Sequence, residues 1–179
     1  MSIPKKLLNH LQLRKLKYEL LPHKTVFTAF DLAQTLKLKS KEVTKTLVVK
    51  LNGKEPVILL LGADKNLDKK KLLNMVNAWI ENKKSSPAAI LLKEKIRGKA
   101  RTFEFAKEKW MREKVLGRPG ATPPFGSILK MPLFIDVSVM AMKKLILSSG
   151  DYETSLVVSL NDYIVLEKPI VGRFGIARK

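Results

Sequence analysis

The sequence predicts a mixed α/β domain in which helices surround a largely antiparallel sheet. The strongest observation is a β-hairpin, because the strand-like runs 44–51 and 55–61 flank Asn52-Gly53, the dipeptide typical of a type I′ turn. A second observation is that apolar residues recur at helical spacing elsewhere in the chain. A third is the length of 179 residues, which fits one domain with a sizeable core.

Each further element follows from local periodicity, a cap or a short apolar run. Leu7 and Leu11 lie on one side of a predicted basic N-terminal helix, and Thr28 is a predicted N-cap. The run 57–61 is continuously apolar, so we expect that strand to be buried on both faces. In chain order, the predicted elements are a helix at 3–17, a strand at 18–22, a helix at 28–36, the two hairpin strands, a helix at 67–79, a strand at 88–92, a helix at 105–116 and strands at 133–137, 145–148 and 156–160.

Composition limits the class of protein and its compartment. The chain is 45% hydrophobic and 28% charged, as is typical of a globular domain. No apolar run reaches the roughly 20 residues that span a bilayer, and the first residues lack the apolar stretch of a secretory signal. Because the chain has no cysteine, disulfides and thiol nucleophiles are excluded, and we expect a cytoplasmic protein with no membrane partner.

The formal charge of +19 predicts a polyanionic partner, with nucleic acid favoured over an acidic membrane surface. Most of the positive residues are lysines spread along the chain, so the charge can also reflect solubility or genome composition. Segment 83–114 is more concentrated, since it holds eleven Lys/Arg against four Asp/Glu, with Phe103, Phe105 and Trp110 interleaved. This segment is either an RNA-binding surface or a solvated face of the domain.

Lys45 is the first candidate functional residue. In the strand 44–51 it shares one face with Leu47, Val49 and Leu51, because strand side chains alternate with a period of two. An ammonium group at the start of an apolar row is costly to dehydrate unless it meets water, an anion or a ligand. Lys45 is therefore either a ligand-binding group or a strand-end lysine whose ammonium reaches solvent.

Several reaction classes lack the residues that they require. His10 and His23 are the two histidines of the chain, and with no cysteine the usual zinc ligands are missing. The sequence contains no P-loop, no G-x-G-x-x-G and no G-x-S-x-G nucleophile motif. We therefore expect no metal, no cofactor and no hydrolysis by a nucleophile–base pair.

The Gly/Pro-rich loop 117–126 is the second candidate, because Gly120 to Pro124 matches G-x-x-x-P. Prolines fix φ and remove N–H donors, so the remaining N–H groups can be held in one orientation and stabilise an oxyanion. The alternative is that the loop is only a rigid turn. Asp136 is likewise either a catalytic group or a strand-end cap, and His23 either a base or a loop residue.

Taken together, these motifs resemble the YbaK/ProX aminoacyl-tRNA editing family, trans-acting deacylases related to the editing domain of bacterial prolyl-tRNA synthetases. The resemblance covers about residues 18–166. Its most specific parts are the Lys-Thr-Leu-Val-Val-Lys strand at 45–50 and the G-x-x-x-P-F-G loop at 120–126. The other matching positions are Leu21-Pro22-His23, Thr28-Ala29, Ala33, Val43-Thr44, Gly62-Ala63-Asp64, Leu67-Asp68, Phe134-Ile135-Asp136 and Ser149-Gly150.

The resemblance implies hydrolysis of the ester that joins a wrong amino acid to the tRNA 3′ end, first of all alanine or cysteine on the tRNA for proline. It implies that Lys45, Gly120 and Pro124 are catalytic: the lysine lies near the terminal adenosine and the aminoacyl group, and the loop positions the carbonyl. Water attacks, helped by the substrate's own ribose hydroxyl. The implied substrate-binding residues are His23, Thr28, Thr46, Gly62, Thr122, Pro123, Phe125, Gly126, Asp136, Ser149 and Gly150.

The resemblance also divides the chain into a basic N-terminal helix at 1–17 and an editing domain at 18–179, with a basic insertion at about 77–100. Ala121 stands where many relatives have a second glycine, which leaves the amino-acid specificity open. The implied partners are aminoacyl-tRNA and an aminoacyl-tRNA synthetase. Two alternatives stay open: a non-catalytic tRNA- or RNA-binding protein that keeps the editing fold, and a regulatory partner that docks on a synthetase through the N-terminal helix.

Overall fold

A computed structural model describes residues 3–81 and 86–178 of the chain. Within these residues, the helices are α1 (Lys5–Leu13), α2 (Ala29–Thr35), α3 (Lys69–Glu81), α4 (Pro87–Lys95), α5 (Glu108–Lys114), α6 (Gly126–Leu129) and α7 (Leu160–Glu167). The strands are β1 (Tyr18–Pro22), β2 (Thr44–Leu51), β3 (Glu55–Gly62), β4 (Lys65–Leu67), β5 (Phe103–Phe105), β6 (Leu133–Asp136), β7 (Lys144–Ser148), β8 (Thr154–Ser159), β9 (Ile170–Gly172) and β10 (Gly175–Ala177).

Three sheets organise these strands. The largest has the order β5-β2-β3-β6-β9, in which β5, β2 and β3 are antiparallel neighbours while β6 and β9 add on in parallel. The order β1-β8-β7 gives a second, antiparallel sheet, and β10 pairs with β4 in a third. Most strand pairs are antiparallel, so the predicted mixed α/β class is confirmed.

The β2–β3 hairpin has the predicted turn. Asn52 and Gly53 both have positive φ, at +51° and +70°, as a type I′ turn requires. The register pairs Lys45 with Leu61 and places Pro56 at the second position of β3. That position lies before the segment of β3 that pairs with β6, so the missing N–H of proline interrupts no bond to that neighbour.

Strand β3 separates two hydrophobic cores. Ile58 and Leu60 face a core built with α1, α7 and the β1-β8-β7 sheet, whereas Leu59 and Leu61 face a core built with α3 and α4. All four side chains have no exposed surface, which confirms that this strand is buried on both faces. The first part of α1 belongs to the same domain core, because Leu7 is also fully buried there.

The predicted strand at 88–92 is wrong, because these residues lie in helix α4. Ser86 caps this helix by accepting a hydrogen bond from the Ala89 N–H at 3.1 Å, and Pro87 occupies its first turn. The run of small and apolar residues therefore packs as a helix against the second core. Part of the polar segment before it, residues 82–85, lies outside the described residues.

The helix predicted at 105–116 is partly wrong. Helix α5 starts only at Glu108, because Phe103–Phe105 forms an edge strand on β2. The pairing places Phe105 opposite Val49, where the phenylalanine ring is 57% exposed. Aromatic residues fit a half-buried strand well, and here tertiary pairing overrides the helical pattern.

Glu167, at the end of α7, is a buried carboxylate that links three helices. Its oxygens accept hydrogen bonds from the Ser127 N–H at 3.0 Å and from the Ser127 hydroxyl at 2.6 Å. The same hydroxyl contacts Nε2 of His10 on α1 at 3.0 Å. Burial raises the pKa of Glu167, although the Ser127 and Gly126 hydrogen bonds act in the opposite direction.

We expect Glu167→Gln to remove one pH dependence of stability. Because the folded-state pKa is raised, the stabilisation from this group is complete below the ordinary pKa of 4.5 and is lost as pH rises through the folded value. The free energy of unfolding of the wild type, relative to the variant, should therefore fall as the pH rises from 4.5. Urea denaturation at several pH values measures this difference. The exposed Glu113→Gln serves as control, and a difference between wild type and Glu167→Gln that is constant with pH would contradict the assignment.

Candidate functional site

A cavity of about 290 Å³ lies where the start of β2, the segment before α2 and the Gly/Pro-rich loop meet. Lys45 and Thr46 line it from β2, His23 and Thr28 from the segment before α2, and Gly120 from the loop. Five of the site residues expected from the sequence thus come together from three separate parts of the chain. We refer to this cavity as the β2 pocket.

The half-buried Lys45 ammonium is held at one wall of the β2 pocket. Its Nζ donates a hydrogen bond to the carbonyl of Lys65 in β4. Burial lowers the pKa of Lys45, Arg178 lowers it further, and Asp64 opposes the shift. An ammonium has three N–H donors, so two remain for a ligand after the bond to Lys65.

Thr46 adds a polar atom with no protein partner. It lines the β2 pocket, and its Oγ1 is buried without a hydrogen bond among the described residues. A buried hydroxyl without a partner costs free energy, on the order of 1–3 kcal/mol, unless a ligand or water completes it. Together with Lys45, it gives the wall of the pocket one charged and one neutral hydrogen-bonding group.

Exposed aromatic rings edge the β2 pocket. Phe27 is 65% exposed and Phe30 is 44% exposed, and both line the cavity. The Phe27 ring packs edge-to-face on Tyr152 at 4.9 Å between centroids, and the Arg118 guanidinium lies 4.9 Å from the Tyr152 ring. Exposed rings beside guanidinium groups are typical surfaces for stacking a nucleic-acid base.

Arg178 is a pocket residue that the sequence reasoning missed. Strand β10 pairs with β4 and carries Arg178 to the pocket, where its guanidinium lies 5.6 Å from the Phe30 ring. The Arg178 N–H also donates to the Asp64 carbonyl at 3.2 Å. Phe27 and Phe30 were also missed, although their position beside the Thr28 cap is a signal that could have identified them. Arg178 is distant in sequence from the other pocket residues, and no local signal pointed to it.

The Gly/Pro-rich loop reaches the β2 pocket through its middle. Gly120, with φ +82°, and Ala121 line the cavity. The rest of the loop is anchored beneath: the Tyr152 hydroxyl donates to the Pro119 carbonyl at 2.7 Å, and the Tyr163 hydroxyl donates to the Pro124 carbonyl. Prolines and tyrosine hydroxyls together therefore fix the orientation of Gly120.

Several expected site residues support the loop from behind and do not line the β2 pocket. The Phe125 ring packs against Tyr163 at 5.5 Å between centroids, and Thr122 is buried with no partner for Oγ1 among the described residues. The whole segment is enclosed, so its contribution to the cavity is the position of the backbone. These buried loop residues are Thr122, Pro123, Pro124, Phe125 and Gly126.

Asp136 and Gly62 do not line the β2 pocket. Asp136 accepts hydrogen bonds from the N–H groups of Phe174 at 2.8 Å and Gly175 at 2.6 Å. These bonds and those from Ser138 lower the pKa of Asp136, although its burial acts in the opposite direction. The carboxylate thus holds the C-terminal segment that leads into β10. Gly62 is held separately, because its N–H donates to the Ser138 hydroxyl at 3.3 Å.

Ser149 and Gly150 form a tight turn beside the loop. The Ser149 hydroxyl donates to the Thr154 carbonyl at 2.5 Å. Gly150, with φ +95°, is so close to Gly117 and Pro4 that a Cβ would lie 2.7 Å from the proline ring. Neither residue lines the β2 pocket, so in this geometry both hold the loop against the domain.

His23 lines the pocket with both ring nitrogens engaged. Nδ1 lies 2.8 Å from the Lys24 carbonyl and Nε2 lies 3.0 Å from the Ser155 hydroxyl. A carbonyl can only accept, so Nδ1 is the donor in the first contact, and in a neutral imidazole Nε2 then accepts from Ser155. Within the described residues, no group of three His, Cys, Asp or Glu side chains could hold a metal ion.

The fold and the β2 pocket together define a class: an α/β domain with a small cationic cavity, edged by aromatic rings and backed by a rigid Gly/Pro loop. The protein-family model described as the aminoacyl-tRNA editing domain matches residues 23–90 and 91–166. This is most of the chain, so the chain belongs to the aminoacyl-tRNA editing domain family. The resemblance found in the sequence is thereby confirmed.

Solved structures show the same fold at low sequence identity. The crystal structure of a hypothetical protein has a TM-score of 0.73 and 19% identity, and the match covers 96% of this chain and 99% of the other. A candidate trans-editing enzyme for prolyl tRNA synthetase has a TM-score of 0.71 and 18% identity over 97% of this chain and 96% of the other. A search of curated protein sequences found no significant match. None of the helices formed by the described residues is long and apolar enough to cross a membrane.

Proposed function

We propose that this protein is a trans-acting deacylase that hydrolyses the ester of mischarged tRNA in the cytoplasm. The observation that carries the proposal is that Lys45 and Gly120, which are 75 positions apart in the sequence, line one cavity. Membership of the aminoacyl-tRNA editing family supports a deacylase-type function. The pocket supplies the cation, the donors and the aromatic edge that an aminoacylated adenosine requires.

The proposed mechanism relies on positioning and on charge stabilisation. The carbonyl of the ester lies between Gly120 and the Lys45 ammonium, whose two remaining N–H donors face the developing oxyanion. Thr46 Oγ1 gains the hydrogen bond that the protein does not give it. Because Lys45 is half-buried, its charge acts in a medium less polar than water and is therefore stronger.

The proposal assigns the role of general base to no side chain of the β2 pocket. His23 has both nitrogens engaged, and the buried Asp151 accepts the N–H of Tyr152 at 2.8 Å. The attacking water is therefore oriented by the ribose hydroxyl next to the ester. An aminoacyl ester is already activated, so orientation and oxyanion stabilisation are sufficient for its hydrolysis.

The size of the pocket favours a small amino acid. About 290 Å³ must hold the aminoacyl group together with part of the adenosine, and Ala121 places a methyl group on the loop side. We therefore propose alanine or cysteine on the tRNA for proline as the substrate. A cognate prolyl group would be rejected by its ring, although such steric discrimination is worth only about 1–3 kcal/mol per methylene.

The test is a deacylation assay on three substrates: alanyl-, cysteinyl- and prolyl-tRNA for proline. We expect hydrolysis of the alanyl or cysteinyl ester well above the spontaneous rate, and little hydrolysis of the prolyl ester. Hydrolysis of all three at equal rates would contradict the proposed specificity. No hydrolysis of any aminoacyl ester, by protein that still unfolds cooperatively, would contradict the deacylase itself.

The charge of +19 favours a second candidate, a non-catalytic RNA-binding protein with the editing fold. It predicts steeply salt-dependent binding of uncharged tRNA with no ester hydrolysis. An aminoacyl-tRNA synthetase is a further proposed partner, since a trans-acting deacylase corrects the product of that enzyme. Co-purification with a synthetase would support the partnership.

A further inference from the structure

A second and larger hollow of about 1000 Å³ lies beside the β2 pocket. It is bounded by the turn before β2, by β4 and β10, and by the start of β7. We refer to it as the basic groove, because its lining includes Lys41, Lys65, Lys71, Lys143, Lys144 and Arg173.

The acidic residues of the basic groove each have a partner within the protein, although Asp64 Oδ1 is buried without one among the described residues. Asp136 accepts the N–H groups of Phe174 and Gly175, as described above. Asp64 pairs with Lys65 at 2.8 Å, and Glu42 accepts the Lys39 N–H at 2.8 Å. Their charges are therefore less available than those of the cations to a ligand in the groove.

Four of the six cations have no ionic partner in the part of the chain that the structure describes. No described carboxylate lies within 4.0 Å of Lys41, Lys71, Lys143 or Arg173. Each of these four side chains is exposed. An anionic ligand would thus meet unpaired positive charge from four separate segments of the chain.

The basic groove and the β2 pocket adjoin each other through hydrogen bonds to main-chain carbonyls. Three hydrogen bonds join a residue of the pocket to a residue of the groove. They run from the Lys45 ammonium to the Lys65 carbonyl, from the Thr44 hydroxyl to the Ile146 carbonyl at 2.5 Å, and from the Arg178 N–H to the Asp64 carbonyl at 3.2 Å. The groove therefore lies next to the pocket, so the units that precede the end of a chain molecule bound in the pocket would have the groove within reach.

The shape and lining favour a polyanionic strand over a lipid surface. The groove is concave, and its lining combines the cations with the half-buried apolar side chains of Met142, Ile146 and Val157. A flat bilayer fits a concave surface poorly, whereas a ribose–phosphate chain can present both apolar and anionic groups to this mixed lining. Bases have their stacking surfaces at the pocket edge, on Phe27 and Phe30.

The basic segment around α4 and α5 is less well placed for this role. Its strand β5 pairs with Val49 to Leu51, at the other end of β2 from Lys45. At about 3.3 Å per residue, this separation is roughly 13–20 Å along the strand. The basic groove, in contrast, adjoins Lys45 through Lys65.

We propose that the basic groove binds the sugar–phosphate backbone of the RNA strand that immediately precedes the aminoacylated nucleotide. This proposal rests on the proposed function, because that function places the RNA 3′ end in the β2 pocket. Arg173 and the β10 part of the groove follow residue 166, where the family match ends, so this binding surface includes residues outside the family pattern. The four unpaired cations supply the affinity by neutralising phosphates.

The test compares two triple variants with the same change in charge. The groove variant carries Lys71→Ala, Lys143→Ala and Arg173→Ala. The control variant carries Arg97→Ala, Lys107→Ala and Lys109→Ala, three exposed cations of the other basic segment. The probe is a 5′-labelled single-stranded RNA that ends in CCA, and fluorescence anisotropy gives its dissociation constant across a series of salt concentrations.

We expect the groove variant to bind this RNA at least about 10-fold more weakly at low salt. The slope of the logarithm of the association constant against the logarithm of the salt concentration should be smaller in magnitude by about 2, because three phosphates are no longer neutralised. The control variant should retain the wild-type slope. Equal weakening of both variants would overturn the proposal, because it would show a general effect of net charge. Displacement of the RNA by an equal concentration of AMP would also overturn it, since the site would then bind a mononucleotide.

A second measurement separates this proposal from the proposed function. The ratio of kcat/KM on alanyl-tRNA to that on 3′-O-alanyl adenosine, which has no phosphate, should fall about 10-fold in the groove variant. An unchanged ratio in a protein that still hydrolyses both esters would overturn the groove assignment and leave the deacylase intact. If the wild type hydrolyses neither ester, the deacylase fails, and the RNA-binding comparison still decides the groove.

Discussion

Replacing Lys45 with alanine is expected to lower kcat/KM for aminoacyl-ester hydrolysis by about 100-fold or more. The reason is that removal of one preorganised donor to a developing oxyanion typically costs about 10²–10³ in rate. Lys45 is also the charged group of β2 that lines the pocket, half-buried beside Gly120. The measurement is the initial rate of release of labelled amino acid from the tRNA, with the spontaneous rate subtracted.

Two variants of the same strand control this result. Lys50→Ala removes an equal charge from β2, but its ammonium lies 4.6 Å from the Trp110 ring, away from the pocket, so activity should hardly change. Lys45→Arg keeps a cation and should recover part of the rate. Thermal unfolding should be measured for all three variants, because Lys45→Ala also leaves the Lys65 carbonyl without its hydrogen-bond donor. Equal rates for Lys45→Ala and wild type would rule out a role for the ammonium.

The pH profile gives a second measurement of the same role. Burial and the neighbouring Arg178 lower the pKa of Lys45, so its positive charge is lost at a lower pH than that of an ordinary lysine. Hydrolysis that depends on this charge should decline as the pH rises through the lowered value. Arg178→Ala removes one cause of the lowering and should move the decline to higher pH. A profile that is the same in both proteins would mean that another group titrates.

The hairpin could be predicted from the sequence because its signals are local. Asn52-Gly53 fixes the turn, and the turn fixes the register that pairs Lys45 with Leu61. Once the register is fixed, alternation decides which side chains share a face. Lys45 could therefore be recognised as a charge at the start of an apolar row before its surroundings were known.

The remaining parts of the β2 pocket depend on contacts between distant segments. Strand β10 is three residues long and pairs with β4, about 110 positions earlier, so no local pattern predicts that Arg178 reaches Lys45. The helical run at α4 was mistaken for a strand because short apolar runs fit both structures. Only its Ser86-Pro87 start carried a helical signal.

The residues expected from the family resemblance fall into two groups in the structure. Lys45, Gly120 and Thr46 line the cavity, whereas Asp136 and Gly150 lie behind it and hold neighbouring segments. A sequence motif does not distinguish residues that line a cavity from residues that pack behind it. Only the three-dimensional contacts distinguish a side chain that lines the cavity from one that positions the backbone.

Gly117→Ala is expected to destabilise the protein by about 2–5 kcal/mol and to displace the loop that carries Gly120. A Cβ at this position would lie 2.2 Å from the Cα of Gly150 and 2.9 Å from its carbonyl oxygen, and both are backbone atoms. Alanine also has to adopt φ +79°, which costs about 1–2 kcal/mol. Overpacking against atoms that cannot rotate away adds about 1–3 kcal/mol.

Gly53→Ala separates these two causes of destabilisation. Gly53 also has positive φ, at +70°, but a Cβ there would meet nothing within 4 Å. Its substitution should therefore show only the backbone cost of about 1–2 kcal/mol in urea denaturation, and deacylation should be retained. Gly117→Ala should lose more stability and also activity, because the contact with Gly150 ties the loop to the turn at 149–150. Equal losses in the two variants would mean that the Gly117–Gly150 contact does not hold the loop at the pocket.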